Sequence, residues 1–459
     1  MGYRGPVVGS ARAEVFRYEG TSWSDGELTC RYSLDGRVFA ERIMFEGGPA
    51  EAGPALTEAL RLVYLVAGIS YYKAGAPGVI DLGDTAVTDA EREFLRLYYV
   101  KGLGEFAYKA GLLTELQSLR IVGPSRAGAP TPVRSVGPPT GGALGRGEIR
   151  PLVPFGGGVD SIVVVEQTRR VHRDSALFVA SRAGARFEAI ETAAAVTGLP
   201  IRRADREIDP QILRSKELGF LNGHIPVTGI VSAMALAAAV IDGRSPVIMS
   251  NEWSASSDTL EADGIPVNHQ WSKSMEFEAA FRGVLAESLP GVEYYSALRP
   301  YSELWVARRF AELEDYHPVF RSCNRAFHLD PARRWDRWCG ECDKCCFIDL
   351  ILAPFLDAER LERIFDGHEP LRRPELEPVF LSLLGDPTYT KPFECVGDVR
   401  ESRVATVLAA GRADRAGDPL VQRLADIVRG QGPLLSAAEL LDPLSDSFVP
   451  AASVPAASQ

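Results

Sequence analysis

Apolar and polar positions alternate with a strand-like period over residues 13–18, 27–34 and 37–46. The last two runs meet at Asp35-Gly36, a dipeptide suited to a tight hairpin turn. The period then changes to that of amphipathic helices at about 55–73 and 88–110. Residues 1–122 are therefore expected to form an α+β N-terminal domain. Residues 123–149 are rich in Gly, Pro, Ser and Arg and carry no period, which predicts a linker and a domain boundary. Beyond it the pattern alternates: strand 148–155, helix 161–171, strand 176–180, helix 186–197, strand 200–208, helix 228–241, strand 246–250. Such alternation predicts an α/β fold over 150–353, a parallel sheet with flanking helices whose ligands sit at the carboxyl ends of the strands. Short helical patterns over 354–442 predict a helical C-terminal region, and the Ser/Ala/Pro-rich stretch 443–459 a disordered tail.

Composition narrows the function classes. The 459 residues are enough for two or three domains, and a net charge of −11 disfavours a dedicated nucleic-acid binder. The longest apolar helical run, Thr228 to Ile241, is too short to span a bilayer, and the first residues lack an apolar export signal. Seven cysteines, four of them between 339 and 346, suit metal ligation in a reducing compartment better than a disulfide frame, so a cytoplasmic protein is expected.

Two motifs carry candidate chemistry. The first is Pro154-Phe155-Gly156-Gly157-Gly158-Val159-Asp160-Ser161, placed between a predicted strand and a predicted helix. Three glycines let the backbone approach an anion, and the helix start supplies N–H donors and positive dipole character. The Lys of the G-x-x-x-x-G-K-[ST] loop is missing, and Ser161 stands where G-x-G-x-x-G needs a later Gly. The second motif is Cys323, Cys339, Cys342 and Cys345, spaced C-x15-C-x2-C-x2-C, a closed four-thiolate set suited to structural zinc. Cys346 competes with Cys345 for the fourth place. Arg321, Arg325, Arg333, Arg334, Arg337 and Lys344 surround this cluster as a basic neighbourhood that substrate phosphates could use.

The glycine loop resembles the S-G-G-x-D-S loop of the PP-loop ATP pyrophosphatases, with Gly156 in place of the first Ser. Together with Cys339-Gly340-Glu341-Cys342-Asp343-Lys344-Cys345, it is similar to the deazaguanine synthase branch of that group. Over nearly its full length the chain resembles the UDP-N-acetylmuramoyl-L-alanyl-L-glutamate epimerases of bacterial cell-wall synthesis. That likeness rests on Val15-Phe16-Arg17-Tyr18, Ser250-Asn251-Glu252-Trp253-Ser254 and Lys391-Pro392-Phe393-Glu394-Cys395-Val396-Gly397. The resemblance implies ATP- and Mg2+-dependent inversion of the terminal L-Glu of the nucleotide-linked dipeptide, within a HUP-like nucleotide domain.

On that reading Gly156, Gly157, Gly158, Asp160 and Ser161 bind ATP. Asp160 is expected to hold magnesium, unless it merely caps the helix, and Ser161 to donate to the pyrophosphate. Adenylation makes the α-proton of glutamate acidic enough for a side-chain base, and the candidates for the proton shuttle are Cys395 beside Glu394, His269 and Lys273. Asn251 and Glu252, just past a predicted strand, are expected to line the site. The competing readings are an ammonia-dependent synthase or amide ligase of the same loop class, and a nucleotide-binding sensor without turnover.

Overall fold

The computed structural model describes residues 13–128, 149–328 and 331–450. Its strands are β1 (Val15–Ser24), β2 (Glu27–Leu34), β3 (Arg37–Phe45), β4 (Val79–Asp81), β5 (Arg120–Val122), β6 (Leu152–Pro154), β7 (Ala176–Arg182), β8 (Ile201–Glu207), β9 (Val247–Met249), β10 (Leu260–Ala262), β11 (Ile265–Val267) and β12 (Tyr294–Ser296). Ten of them form one sheet in the order β12-β9-β6-β7-β8-β3-β2-β1-β4-β5, and β10 and β11 pair separately. The half from β12 to β8 is parallel throughout, as expected for an α/β fold, whereas β1, β2 and β3 form an antiparallel meander. Asp35 and Gly36 both take positive φ, the conformation that a two-residue hairpin of this hand requires.

The two halves of the sheet meet edge to edge, β3 antiparallel to β8. At this seam Arg206 donates to both carboxylate oxygens of Glu41, at 2.6 and 2.9 Å, and to Ser70 Oγ at 2.8 Å. Glu41 is fully buried, so the pair replaces its hydration with charge-assisted hydrogen bonds. Strands that precede and follow the 123–149 segment in sequence therefore share one sheet. Residues 129–148 of that segment lie outside the described residues, while Arg126 is anchored by Glu58, Glu91 and Ser288.

Two apolar cores lie on the two sides of the sheet. One joins the helices Pro54–Ala67 and Asp89–Val100 to Val227–Ile241 and Met275–Ser288; the other joins Val159–Val171 and Glu303–Ala311 to the C-terminal helices. The helical pattern at 88–110 breaks at residues 101–103, and Gly104–Ala110 leaves as a separate helix. Gly102 occupies that break because a Cβ there would sit 2.3 Å from the Tyr98 carbonyl oxygen and against Pro226. The expected disordered tail is corrected in its first part. Leu444 N–H donates to Pro300 O at 2.7 Å, Arg282 lies over the Phe448 ring, and Phe448 and Val449 pack on the second core. Their apolar side chains outweigh the Ser/Ala/Pro composition around them; residues 451–459 lie outside the described set.

Candidate active site

The glycine loop leaves the carboxyl end of β6, where strand order reverses between β7 and β9, and opens the helix Val159–Val171. Gly157 takes φ +73°, and a Cβ there would lie 2.7 Å from Ala189 O, so only glycine fits. A Cβ on Gly158 would meet Ser322 Oγ at 2.9 Å. Gly156 has open space around it, so a serine in its place would fit and its absence is not forced by packing. Gly158 is the N-cap, with no side-chain cap on the helix, which leaves the first-turn N–H groups for an anion. Ser161 hydroxyl donates instead to Gly158 O at 3.0 Å.

Asp160 does not cap the helix. Its carboxylate converges with those of Glu252, just beyond β9, and Glu303, the first residue of its helix, all within 4.8 Å of one another. Burial and then Glu252 push Asp160 well above the usual carboxylate range; burial and then Asp160 do the same to Glu303. Glu252 Oε2 is buried and has no hydrogen-bond partner. Three converging carboxylates with an orphaned oxygen fit a hard divalent cation, which takes one or two carboxylates and shares phosphate oxygens.

Cys395 lies beside this cluster, on the loop Lys391–Gly397. Gly397 takes φ +59° and packs so tightly on Phe347 that a Cβ would lie 2.6 Å from its ring, while Lys391 Nζ donates to Gly397 O at 2.6 Å. This closure turns the half-buried thiol inward. Lys273 Nζ donates to Cys395 Sγ at 3.3 Å, His269 hydrogen-bonds the same thiol, and Lys344 donates to the Cys395 carbonyl. Burial raises the thiol, but Lys273, His269 and Lys344 outweigh it and bring it down to about 6. Burial lowers His269, yet its bonds to Cys395 and Glu105 push it up to about 9. At neutral pH the pair is therefore thiolate and imidazolium.

Several of these partners were not signalled by sequence. His269 Nδ1–H donates to Glu105 Oε2 at 2.5 Å, Glu105 also pairs with Lys109, and the His224 ring lies 4.3 Å from that of His269. Glu105 belongs to the helix Gly104–Ala110, far from Cys395 in sequence, and no local motif marks it. Glu401, fully buried, accepts the Glu303 N–H at 2.7 Å. Arg299 ties the site from behind: it pairs with Glu278 at 3.0 Å and donates to the backbone carbonyls of Glu252 and Lys273. Of the residues singled out by sequence, Cys395, His269, Lys273, Asp160 and Glu252 come together. Glu394 is held by Asn324 Nδ2 at 3.1 Å, and Asn251 is buried, its N–H donating to Ser296 Oγ.

The four cysteines also converge. Cys323, Cys339, Cys342 and Cys345 place their sulfurs within 4.8 Å of one another, with Cys339–Cys345 at 3.6 Å and Cys342–Cys345 at 3.5 Å. Four sulfurs each roughly 2.3 Å from one zinc would be about 3.8 Å apart, so the set fits a tetrahedral ion. Cys345 rather than Cys346 completes it. Gly340 takes φ +67° in the turn between ligands, where a Cβ would strike His368 O at 2.5 Å.

Comparison with known proteins assigns this architecture. Residues 9–297 match the MurL N-terminal domain and residues 319–438 the MurL C-terminal domain. The chain belongs to the MurL family. It is 40% identical over 435 residues to the UDP-N-acetyl-alpha-D-muramoyl-L-alanyl-L-glutamate epimerase of Salinispora tropica, a match spanning 91% of this chain and 89% of that one. The epimerase of the same name from Xanthomonas oryzae pv. oryzae is 38% identical over 87% of this chain and 86% of its own. That of a Micromonospora species is 40% identical over 83% and 81%. No solved structure matches the chain. Both MurL segments contribute to the site, Glu105, Asp160, Glu252, His269 and Lys273 from the first and Cys395 from the second. Among the described residues no helix is long and apolar enough to cross a membrane.

Proposed function

We propose that the chain is an isomerase that inverts the terminal L-Glu of UDP-N-acetylmuramoyl-L-alanyl-L-glutamate to D-Glu in peptidoglycan-precursor synthesis, through an acyl-adenylate formed from ATP. The observation that carries this reading is the position of Cys395, whose sulfur accepts from Lys273 and lies next to His269, beside the carboxylates at the glycine loop. An α-proton next to a carboxylate is too weakly acidic for a base of this strength. Attack of the glutamate carboxylate on the α-phosphorus of ATP, with loss of pyrophosphate, leaves a neutral acyl group that accepts enolate charge. The α-proton then passes to Cys395 Sγ, a proton returns to the opposite face, and water releases AMP and the D-isomer.

The glycine loop supplies backbone donors to the ATP phosphates. Asp160, Glu252 and Glu303 would hold magnesium, which neutralises phosphate charge when bound. His269 and Lys273 keep the thiol ionised, and Glu105 keeps His269 charged. The four cysteines would hold a structural zinc that fixes the segment following Cys323.

The test is incubation with ATP, Mg2+ and the L-Glu-terminated nucleotide in deuterium oxide, followed by chiral analysis of the glutamate. Deuterium at the α-carbon and D-Glu are expected only when ATP is present, with AMP and pyrophosphate formed. Exchange without ATP would overturn the acyl-adenylate route.

A further inference from the structure

A cleft outside the reaction centre lies between the start of the helix Glu188–Thr197 and the segments 318–326 and 334–336. Its volume is about 390 Å3, within the range of roughly 300–1,000 Å3 typical of small-molecule sites. Arg186, Arg321, Arg334 and Trp335 line it, opposed by Glu188 and Asp336. Arg186 is committed to Asp205, and Arg334 is stacked 4.1 Å over Phe187 and donates to His328 O. Arg321 has a buried Nε with no hydrogen-bond partner. Arg325 and Arg337 lie 4.8 and 5.5 Å from the Trp335 ring; Arg325 is paired with Glu341, so Arg337 is the further cation near the cleft. Fixed guanidinium groups around an indole suit a nucleoside diphosphate, because the planar fork matches phosphate oxygens and the aromatic surface suits a base.

We infer that this cleft binds the uridine diphosphate end of the substrate, an assignment that rests on the proposed function. ATP has its own phosphate site in the glycine loop, and no residue of that loop lines the cleft. The substrate brings a second diphosphate, which needs a second cationic site. The path between the two sites is short in sequence. Arg321 lines the cleft, Ser322 abuts Gly158 of the loop, Cys323 belongs to the thiolate cluster, and Asn324 bonds Glu394 beside Cys395. A substrate held by its diphosphate at Arg321 is thus directed past the ATP loop toward the thiolate.

The experiment is calorimetric titration of UDP, and separately of ATP, into the wild-type protein and into Arg321→Ala and Arg334→Gln, with KM measured for each substrate. Both variants are expected to bind UDP at least tenfold more weakly and to raise KM for the nucleotide-linked dipeptide, with ATP affinity within twofold of wild type. Unchanged UDP affinity in folded variants would overturn the inference, as would a parallel loss of ATP affinity, which would give the cleft to ATP. Trp335→Ala, a change at a partly exposed side chain, provides the same test should Arg321→Ala fail to fold. UDP binding is read without turnover. Absence of ATP-dependent epimerisation in the wild type would therefore count against the proposed reaction and leave the UDP result standing by itself.

Discussion

At the scale of single residues, the proposed chemistry rests on one ion pair that differs from ordinary side-chain behaviour. A free thiol is mostly protonated at neutral pH, and a free imidazole mostly neutral. Here Cys395 is lowered to about 6 and His269 raised to about 9. The α-proton exchange rate should therefore rise with pH through about 6, as the thiol ionises, and fall through about 9, as the imidazolium loses its proton. The two limbs belong to the coupled pair. A pH profile of deuterium wash-in checks this, and a rate flat from 5 to 10 would remove the pair from the mechanism. Glu105→Gln keeps the shape of the Glu105–His269 contact but removes its charge, so the upper limb should move to lower pH. A loss of rate with no movement of that limb would make Glu105 purely structural. Cys395→Ala should still release pyrophosphate from ATP and substrate while losing exchange by a factor of about 100 or more, because the glycine loop is untouched. Single-turnover assays of the two half-reactions separate these outcomes.

At the scale of elements, two devices hold the site's loops in register. With zinc bound, the four cysteines would pin the segment containing Ser322 and Asn324 to the start of the helix Asp343–Leu352. A closed zinc site contributes its binding free energy to folding, on the order of 10 kcal/mol in small domains. Cys342→Ser should therefore lower zinc content and melting temperature together, as elemental analysis and thermal denaturation would show. Full stability without bound metal would end the structural-zinc reading. The second device is the buried Arg299–Glu278 pair, both side chains about 1% exposed, through which Arg299 reaches the carbonyls of Glu252 and Lys273. Arg299→Met leaves Glu278 charged and unpaired in the interior, a change that costs about 3–5 kcal/mol. Denaturant titration should show that loss, and Glu278→Gln in the same background should recover part of it.

At the scale of the whole molecule, the continuous sheet makes the N-terminal half a structural partner of the half that carries the glycine loop. The helix Pro54–Ala67 packs on Val227–Ile241, and β3 covers the edge of β8. A chain starting at residue 149 would expose that edge and the apolar side of Val227–Ile241, and would also lack Glu105. It should aggregate or stay partly unfolded, whereas the full chain should unfold in one cooperative transition. A soluble, folded fragment, judged by circular dichroism and size-exclusion chromatography, would show that the two halves are independent.

The chain's own periodicity was enough to place most strands and helices up to β9, because alternation at two and 3.6 residues reflects which side chains face the core. The glycine loop and the cysteine spacing were equally legible, since both are local: adjacent backbone N–H groups and two-residue gaps create a site without help from distant residues. β12, three residues long, has too few positions to show a period, while the helices Met275–Ser288 and Glu303–Ala311 are long enough to show one and yet lie outside the sequence-based expectations. Cys395, His269 and Lys273 were candidates from their residue type and from family resemblance, but nothing local showed that they touch. Only the tertiary structure brought Glu105, from the N-terminal helix Gly104–Ala110, against His269 and closed the Lys391–Gly397 loop over Lys273. The physical reason is that a thiolate–imidazolium pair depends on charges and desolvation summed over several distant segments. Their distances are set by the packing of the two cores and appear in no short stretch of the chain.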